Sequence, residues 1–580
     1  MNKKIVAFIE IVFLCSCIFI GTPAYAAMGN LSPTADSSQI ISTNRLSGNN
    51  KFETAKVISE YYGNGKVKNV ILTTGNDFAD ALSASVLAHE KEAPILLVDT
   101  SVDRSKDAFD YVIQHLDSTG TAYIIGGTVI IGTEFETKLN ELGFKNVVRI
   151  AGMDRYDTSY TIASSLNDLT ASTVVISSGE QYPDALSISS FAANKGWPIL
   201  LTPHNALPQG IKNFLLERKP SKVYIAGGVG VISGNVQSEI GSLLPQASVE
   251  RLMGQSRFDT NVIIAETFAP NPSTVYLATG YGFADALAGS VIAAKNGDPI
   301  ILIDPSVPTL PKSVAGYFGK LYAKVLNPNL VSFGGSGVVT DDIMKISRDL
   351  IWGTAKETTI YSIADITASV TQNNNYSLPT TVQAKLYNSD TLDVPVKWNP
   401  TSVDTASIGS RVYDGVVDGY SKGIKLSLTV KEPMPISQYS TYFDPNQVNR
   451  TVNLSLAAKA LDGKLLAPGE RFSFNKTVGE RTAEAGYKEA MIIEGDVFTP
   501  GLGGGICQVS STLYNAVRLA NLEILERHQH TLPISYVPPG QDATVAYPVL
   551  DFKFRNSLGV YILMRSSVEG NTLTFKLFGK

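Results

Sequence analysis

Short, continuous apolar runs recur along the first 350 residues, each ending in glycine or aspartate: "VKNVILTTG", "APILLVD" and "TAYIIGG". Such runs suit strands buried on both faces. Between them lie stretches such as "DALSASVLAHEK" and "DAFDYVIQHLD", which suit helices. Strand–helix–strand alternation predicts a parallel sheet covered by helices. The texture changes after Trp352. "TTIYSIADITASVTQNNNYSLPTTVQAKLYNSDTLDVPVKWNP" alternates apolar and polar residues between frequent turn residues, and the pattern continues to about Lys431. This predicts a small β-sandwich. A proline-bearing linker, "KEPMPIS", leads into a last domain from about Ile436 to Lys580. There, "CQVSSTLYNAVRLANLEI" sets Val509, Leu513, Val517, Ala520 and Ile524 on one face of a predicted helix.

The α/β region repeats itself. "RLSGNNKFETA" at Arg45, "RIAGMDRYDTS" at Arg149 and "RLMGQSRFDTN" at Arg251 open three units of about 100 residues. Each is followed by a second landmark: "TGNDFADALSAS", "SGEQYPDALSIS" and "TGYGFADALAGS". A third comes later: "YIIGGTVI", "YIAGGVGV" and "VSFGGSGV". Three landmarks in one order, three times, predict three homologous small domains rather than a solenoid.

At 580 residues the chain is too long for one core. Its net charge of -5 gives no support for nucleic-acid binding. Lys3 and Lys4, the apolar "IVAFIEIVFLCSCIFI" and "AYA" at Ala24–Ala26 read as a secretory signal. A rival reading is a lipobox at "LCSC" with Cys17 lipidated. No second long apolar segment follows, so no membrane span is expected after signal cleavage. The expected organisation is signal 1–26, linker 27–44, repeats 45–148, 149–250 and 251–352, β domain 353–432 and C-terminal domain 433–580.

Several repeated residues carry a plain and a functional reading. Asp80, Asp184 and Asp285 precede Ala-Leu and an apolar helix, which reads as an N-cap. The pairs Gly126/Gly127, Gly227/Gly228 and Gly334/Gly335 read as tight strand-to-loop turns or as anion-binding nests. Arg45, Arg149, Arg155, Arg251 and Arg257 suit phosphate or carboxylate recognition, or ion pairs at repeat junctions.

Together these motifs resemble the cell-wall-binding repeat type 2 domains over about Asn44 to Ile351. The resemblance implies Rossmann- or flavodoxin-like α/β repeats packed as a pseudo-trimer. It also implies non-covalent binding to anionic wall polysaccharide, with the five arginines as candidate contacts. The first unit departs from the pattern with Lys51 where Arg155 and Arg257 stand. Residues 354–432 resemble bacterial immunoglobulin-like domains, which implies a spacer.

Cys507 is the only cysteine outside the signal segment, so it has no disulfide partner within the remaining chain. It follows "GLGGGI" at the predicted helix start, where free N–H groups favour thiolate and glycines allow close substrate approach. His528 and His530 follow in "RHQHTLPISYV", with Asp542 and Asp551 beyond as orienting carboxylates. Three readings stand: a Cys–His acyl-transfer site, a zinc site using Cys507 with both histidines, or a structural thiol in the core.

The segment "GLGGGICQVSSTLYNAVRLANLEILERHQHTLPISYV" and its flanks resemble the VanW domain, implying a C-terminal α+β fold. Some members of that family are peptidoglycan L,D-transpeptidases. The resemblance therefore implies Cys507 as nucleophile and His530 as base, with Asp542 taken beside them as the candidate catalytic carboxylate. Gly504, Gly505, Gln508, Ser510, Ser511, Thr512 and Tyr536 become candidate substrate contacts, and Asp551 and Asn556 match the family pattern without a role. The implied partners are peptidoglycan stem peptides, with no metal or organic cofactor. The implied product is a 3-3 cross-link. The rivals are a cysteine carboxypeptidase or endopeptidase at the same site, and a non-catalytic wall-binding protein or adhesin.

Overall fold

A computed structural model describes residues 43–63, 65–167, 172–324 and 326–579. The expected signal segment and the linker up to residue 42 lie outside them. The chain forms two compact units: one runs to Thr359 and includes Leu386–Asp390, and the other takes the remainder.

The first unit holds three four-stranded parallel sheets with one topology. In the first, the order is Ile95–Val98, Val67–Thr74, Leu116–Ile125, Asn146–Ile150. In the second it is Ile199–Thr202, Thr173–Ser178, Lys222–Ala226, Ser248–Leu252. In the third, Ile300–Ile303, Thr274–Thr279 and Asn329–Phe333 are completed by Thr43–Leu46. Each strand that opens a sequence repeat is thus the last strand of the preceding sheet, and the first such strand closes the third sheet. The repeat and the sheet are out of phase by one strand, which joins the three units into a ring.

The five arginines serve this architecture. Arg149, Arg251 and Arg45 each stand one residue before the end of such an edge strand and donate Nη1 to the carbonyl of Gly126, Gly227 and Gly334, at 2.7, 2.8 and 3.0 Å. Arg149 also pairs with Glu136, Arg251 with Gln237 and Arg45 with Asp341. Arg155 and Arg257 donate to Gly179 and Gly280 carbonyls at 2.7 and 2.6 Å, and lie over the rings of Phe78 and Tyr281. Lys51, in the first unit, instead reaches the Asn76 side chain at 2.9 Å.

Helices Ala84–Glu90, Pro183–Lys195 and Ala284–Asn296 pack against one another at the centre. A small residue also lets the last of them lie close on its own sheet: a Cβ on Gly289 would meet the Phe333 ring at 2.2 Å. Ahead of them Phe78, Tyr182 and Phe283, one from each repeat, form a triangle of rings with centroids 5.4, 6.1 and 6.2 Å apart. One pair is edge-on and two are tilted, and aromatic pairs of this kind add about 0.5–1.5 kcal/mol each beyond area burial.

The helix caps fall elsewhere than expected. Asp184 and Asp285 sit inside the first turn of their helices, and neither helix has a side-chain cap there. Asn50, Asp154 and Ser256, in the earlier motif, supply the caps instead. The aspartates abut the Gly-Gly turns: a Cβ on Gly227 or Gly334 would sit 2.6 or 2.5 Å from the Asp184 or Asp285 carboxylate. Those glycines also take φ of 122° and 103°, which side-chain-bearing residues rarely adopt. Burial pushes both carboxyls up to about 6, against a partial offset from Arg257 at Asp184.

In the second unit, residues after Ile360 form a sandwich of two sheets. One holds Ile360–Ile363, Thr381–Leu386 and Thr391–Pro395, and the other Ile366–Thr371, Ile424–Lys431, Gly409–Val416 and Lys397–Asn399. Alternate residues of each strand (Leu426 and Leu428 with Trp398 and Tyr413) fill the core between them.

The C-terminal region is α+β. Strands Ser437–Tyr442, Thr572–Gly579, Ile562–Glu569 and Leu465–Leu466 form an antiparallel sheet. A smaller sheet holds Arg471–Ser473, Lys553–Arg555 and Glu523–Glu526, and Glu489–Glu494 pairs with Val497–Leu502 as a hairpin. Helix Ile506–Leu519 is enclosed among these, with Val509, Leu513 and Val517 against Phe552, Phe554, Phe575 and Leu577. The predicted apolar face ran on to Ile524, but the helix ends at Leu519. Asn521 takes φ of 54°, and Ile524 belongs to the next strand. No helix among the described residues is long and apolar enough to cross a membrane.

The buried aspartates make a testable pH dependence. A carboxyl raised in the folded state binds its proton there more tightly than in the unfolded chain. Stability therefore falls as pH rises from the unfolded value near 4 through about 6. The Asp285→Asn variant should unfold at higher temperature than wild type at pH 7, with the gap closing at pH 4.5, by calorimetry.

Candidate active site

The loop ahead of Cys507 is held by close backbone contacts. A Cβ on Gly504 would lie 2.6 Å from the backbone of Ala490 and Met491 in the hairpin. Gly505 takes φ of 108° and starts helix Ile506–Leu519. Asn453 fixes the loop, donating to the carbonyls of Gly504 and Lys488 and accepting from the Lys488 N–H. Cys507, second in the helix, is partly exposed. Among the described residues the Gly505 and Cys507 N–H groups make no backbone hydrogen bond, whereas those of Ile506 and Gln508 bond the Gly503 and Gly505 carbonyls. The first two are donors of the first helical turn, available to a developing oxyanion.

His530 lies close enough to Cys507 for the two groups to act on each other electrostatically, while the thiol itself donates to the Val545 carbonyl at 3.5 Å. One side of the ring is fixed: Nδ1 lies 2.7 Å from Asp542 Oδ2, which also accepts the His530 backbone N–H at 2.7 Å. Both side chains are nearly closed to solvent, at 6% and 8% exposure. Arg527 donates to the other Asp542 oxygen at 3.2 Å and to the Asp542 carbonyl at 2.7 Å. Burial alone would lower the His530 pKa, but Cys507 and then Asp542 outweigh it, so the imidazolium is favoured. Burial would raise Asp542, and the His530 hydrogen bonds outweigh it in turn.

Tyr536 stands edge-on to His530, its hydroxyl 3.4 Å from Nε2 and hydrogen-bonded to Ser511. Burial, and then the charge of Cys507, raise its pKa, so it stays a neutral phenol.

Other sequence candidates face inward. Gln508 donates to Thr441 Oγ1 and the Tyr442 carbonyl, and accepts from Arg450. Ser510 donates to the Ala543 carbonyl, Ser511 accepts the Ala543 N–H, and Thr512 bonds Thr441 and the Gln508 carbonyl. All four are buried because the helix is enclosed on every side, so they fix the helix under Cys507. Asp551 caps the turn at Ser473 and Asn475, and Asn556 bonds the carbonyls of Leu466 and Val560. His528 turns to Glu526 at 3.0 Å, away from a shared site with Cys507 and His530. Among the described residues no His, Cys, Asp and Glu group has the arrangement of a metal site. Sequence reasoning missed Arg450 and Arg481, whose charges both act on Cys507.

The chain thus holds three parallel α/β units, a small β-sandwich and an α+β domain in which Cys507 and His530 come near each other. Family models match accordingly: Cell wall binding domain 2 over residues 45–136, 149–237 and 251–344, Bacterial Ig-like domain (group 4) over 363–420, and VanW like protein over 449–578. The chain is a cell-wall surface protein that carries three such wall-binding domains, one Ig-like domain and one VanW domain. It is 48% identical over 143 residues to Uncharacterized protein YoaR of Bacillus subtilis (strain 168), covering 25% of this chain and 47% of that one. It is 30% identical over 261 residues to N-acetylmuramoyl-L-alanine amidase LytC of the same organism, covering 45% and 50%. Cwp8 from Clostridium difficile aligns with a TM-score of 0.48 and 29% identity, over 53% of this chain and 51% of that one. The chain spans about half the length of the curated relatives named here.

Asp542→Asn removes the negative charge that helps to keep His530 protonated. The alkaline limb of the Cys507 alkylation or acylation rate should therefore move to lower pH, measured across a pH series.

Proposed function

We propose that the C-terminal domain is a cysteine L,D-transpeptidase of peptidoglycan, held in its substrate by the three wall-binding domains. The observation that carries the reading is the chain of contacts from Cys507 to His530 to Asp542 at the start of an enclosed helix. The Cys507 sulfur attacks the carbonyl carbon of the third residue of a donor stem. The carbonyl electron pair moves to oxygen, where the Gly505 and Cys507 N–H groups receive it. On collapse the C–N bond breaks, and the His530 imidazolium gives its proton to the departing amine of the terminal residue. An acceptor amine then attacks the thioester, His530 takes its proton, and sulfur leaves as thiolate. Asp542 holds the ring and its charge through both halves. Similarity to an amidase of the wall supports peptidoglycan as the surrounding substrate.

For the wall polymer, Arg155 and Arg257 are the proposed contacts. Each bonds one carbonyl and stays partly exposed, Arg155 with Asp77 3.9 Å away as a further partner. Arg45, Arg149 and Arg251 are more fully engaged with the Gly-Gly turns. Changing Arg155 and Arg257 together to Gln should lower retention of the folded protein on purified walls severalfold, whereas Arg149→Gln should lower the melting temperature and leave retention of the folded protein as in wild type. A double variant that sediments with walls as wild type does would remove these two contacts from the account.

The chemistry is tested on tetrapeptide muropeptides incubated with the full chain and with Cys507→Ala, read by mass spectrometry. Wild type should give new 3-3 dimers and the variant none. Shortened stems without dimers would mean hydrolysis at the same thiol. Unchanged muropeptides with folded, wall-bound wild type would leave a non-catalytic surface protein.

A further inference from the structure

Two arginine stems occupy the room left by the glycines ahead of the nucleophile. A Cβ on Gly503 would lie 3.0 Å from Arg481 Cγ, and one on Gly505 would lie 2.9 Å from Arg450 Cγ. The Arg481 guanidinium lies over the Phe474 ring and donates Nη2 to Asn475 Oδ1 at 2.8 Å. Its Nη1 is buried with no hydrogen-bond partner among the described residues. Arg450 donates Nη2 to Gln508 Oε1 at 2.9 Å. Among the described residues neither forms an ion pair within 4.0 Å of a carboxylate, in contrast to Arg527, which pairs with Asp542. Asp551 is in electrostatic range of Arg481, but its oxygens already serve Ser473, the Asn475 and Phe552 N–H groups and Lys553.

Two guanidinium groups thus stand within electrostatic range of Cys507 with no carboxylate partner among the described residues. A buried guanidinium nitrogen without an acceptor is costly, and a ligand oxygen would remove that cost. The planar fork of arginine suits a carboxylate, where an ammonium offers only a point charge.

We propose that Arg481, flanked by Arg450, binds the free α-carboxylate of the residue that leaves the donor. The site then selects peptides that end one residue beyond the bond attacked by Cys507. This rests on the acyl-transfer reading and gives it a donor preference. Binding the leaving residue by its carboxylate also holds its amine against His530, where the proton is delivered.

The test compares two synthetic tetrapeptide stems with the full chain, one ending in D-Ala carboxylate and one in D-Ala carboxamide. Release of the terminal residue and the mass of the acyl-enzyme are both followed. Wild type should process the acid about tenfold faster or more, the size expected for charged hydrogen bonds. Arg481→Gln should bring the ratio near unity by slowing the acid alone, and Arg481→Lys should restore part of it. Equal rates on wild type, or an undiminished ratio in Arg481→Gln, would overturn the inference while leaving acyl transfer intact. If Arg481→Gln does not fold, Arg481→Lys and Arg450→Gln are read in the same way, and an undiminished ratio in both overturns it. Turnover of neither peptide by folded wild type would overturn the acyl-transfer reading, and this inference with it.

Discussion

The catalytic reading depends on one short contact, that between His530 Nδ1 and Asp542 Oδ2 at 2.7 Å. It engages Nδ1, leaves Nε2 beside the Tyr536 hydroxyl, and joins Cys507 in favouring the charged ring against the pull of burial. Asp542 can do this because its other bonds hold it still, from the His530 backbone N–H and from Arg527. Removing its charge would leave the fold in place and the ring without a director, as expected of an orienting group in a nucleophile–base pair. The buried hydroxyls of helix Ile506–Leu519 play the corresponding part for the sulfur, fixing the helix against residues Thr441 and Ala543.

The wall-binding unit uses the same economy of polar contacts at a larger scale. Each edge strand carries an arginine that reaches the Gly-Gly carbonyl of its own sheet. The sheet exchange makes each unit incomplete without the strand of its neighbour in the ring. Truncation inside the region would thus expose an unpaired sheet edge rather than release a free domain.

Much of this was legible in the residues. Continuous apolar runs such as "APILLVD" announced buried parallel strands, and three recurring landmarks announced three units. The phase of the sheets was not legible, because the "RIAG" strand opens its motif in sequence and closes the previous sheet in space. The caps were misplaced for a related reason. An aspartate before an apolar helix looks like a cap until its burial against a glycine turn is known. At the site, Cys507 stood out through its glycines, whereas Arg450 and Arg481 are distant in sequence and converge only through the fold. Gln508, Ser510, Ser511 and Thr512 looked like substrate contacts because they follow the nucleophile. The enclosure of their helix turned them inward.

The account's central claim is that Cys507 becomes covalently acylated. The direct measurement is acid quenching of the full chain during turnover of a tetrapeptide donor with no acceptor present, followed by peptide mapping. The account predicts a tripeptide joined through a thioester to Cys507, cleared by hydroxylamine and absent in Cys507→Ala. Donor consumption with no adduct at Cys507, or with full activity in Cys507→Ala, would contradict it.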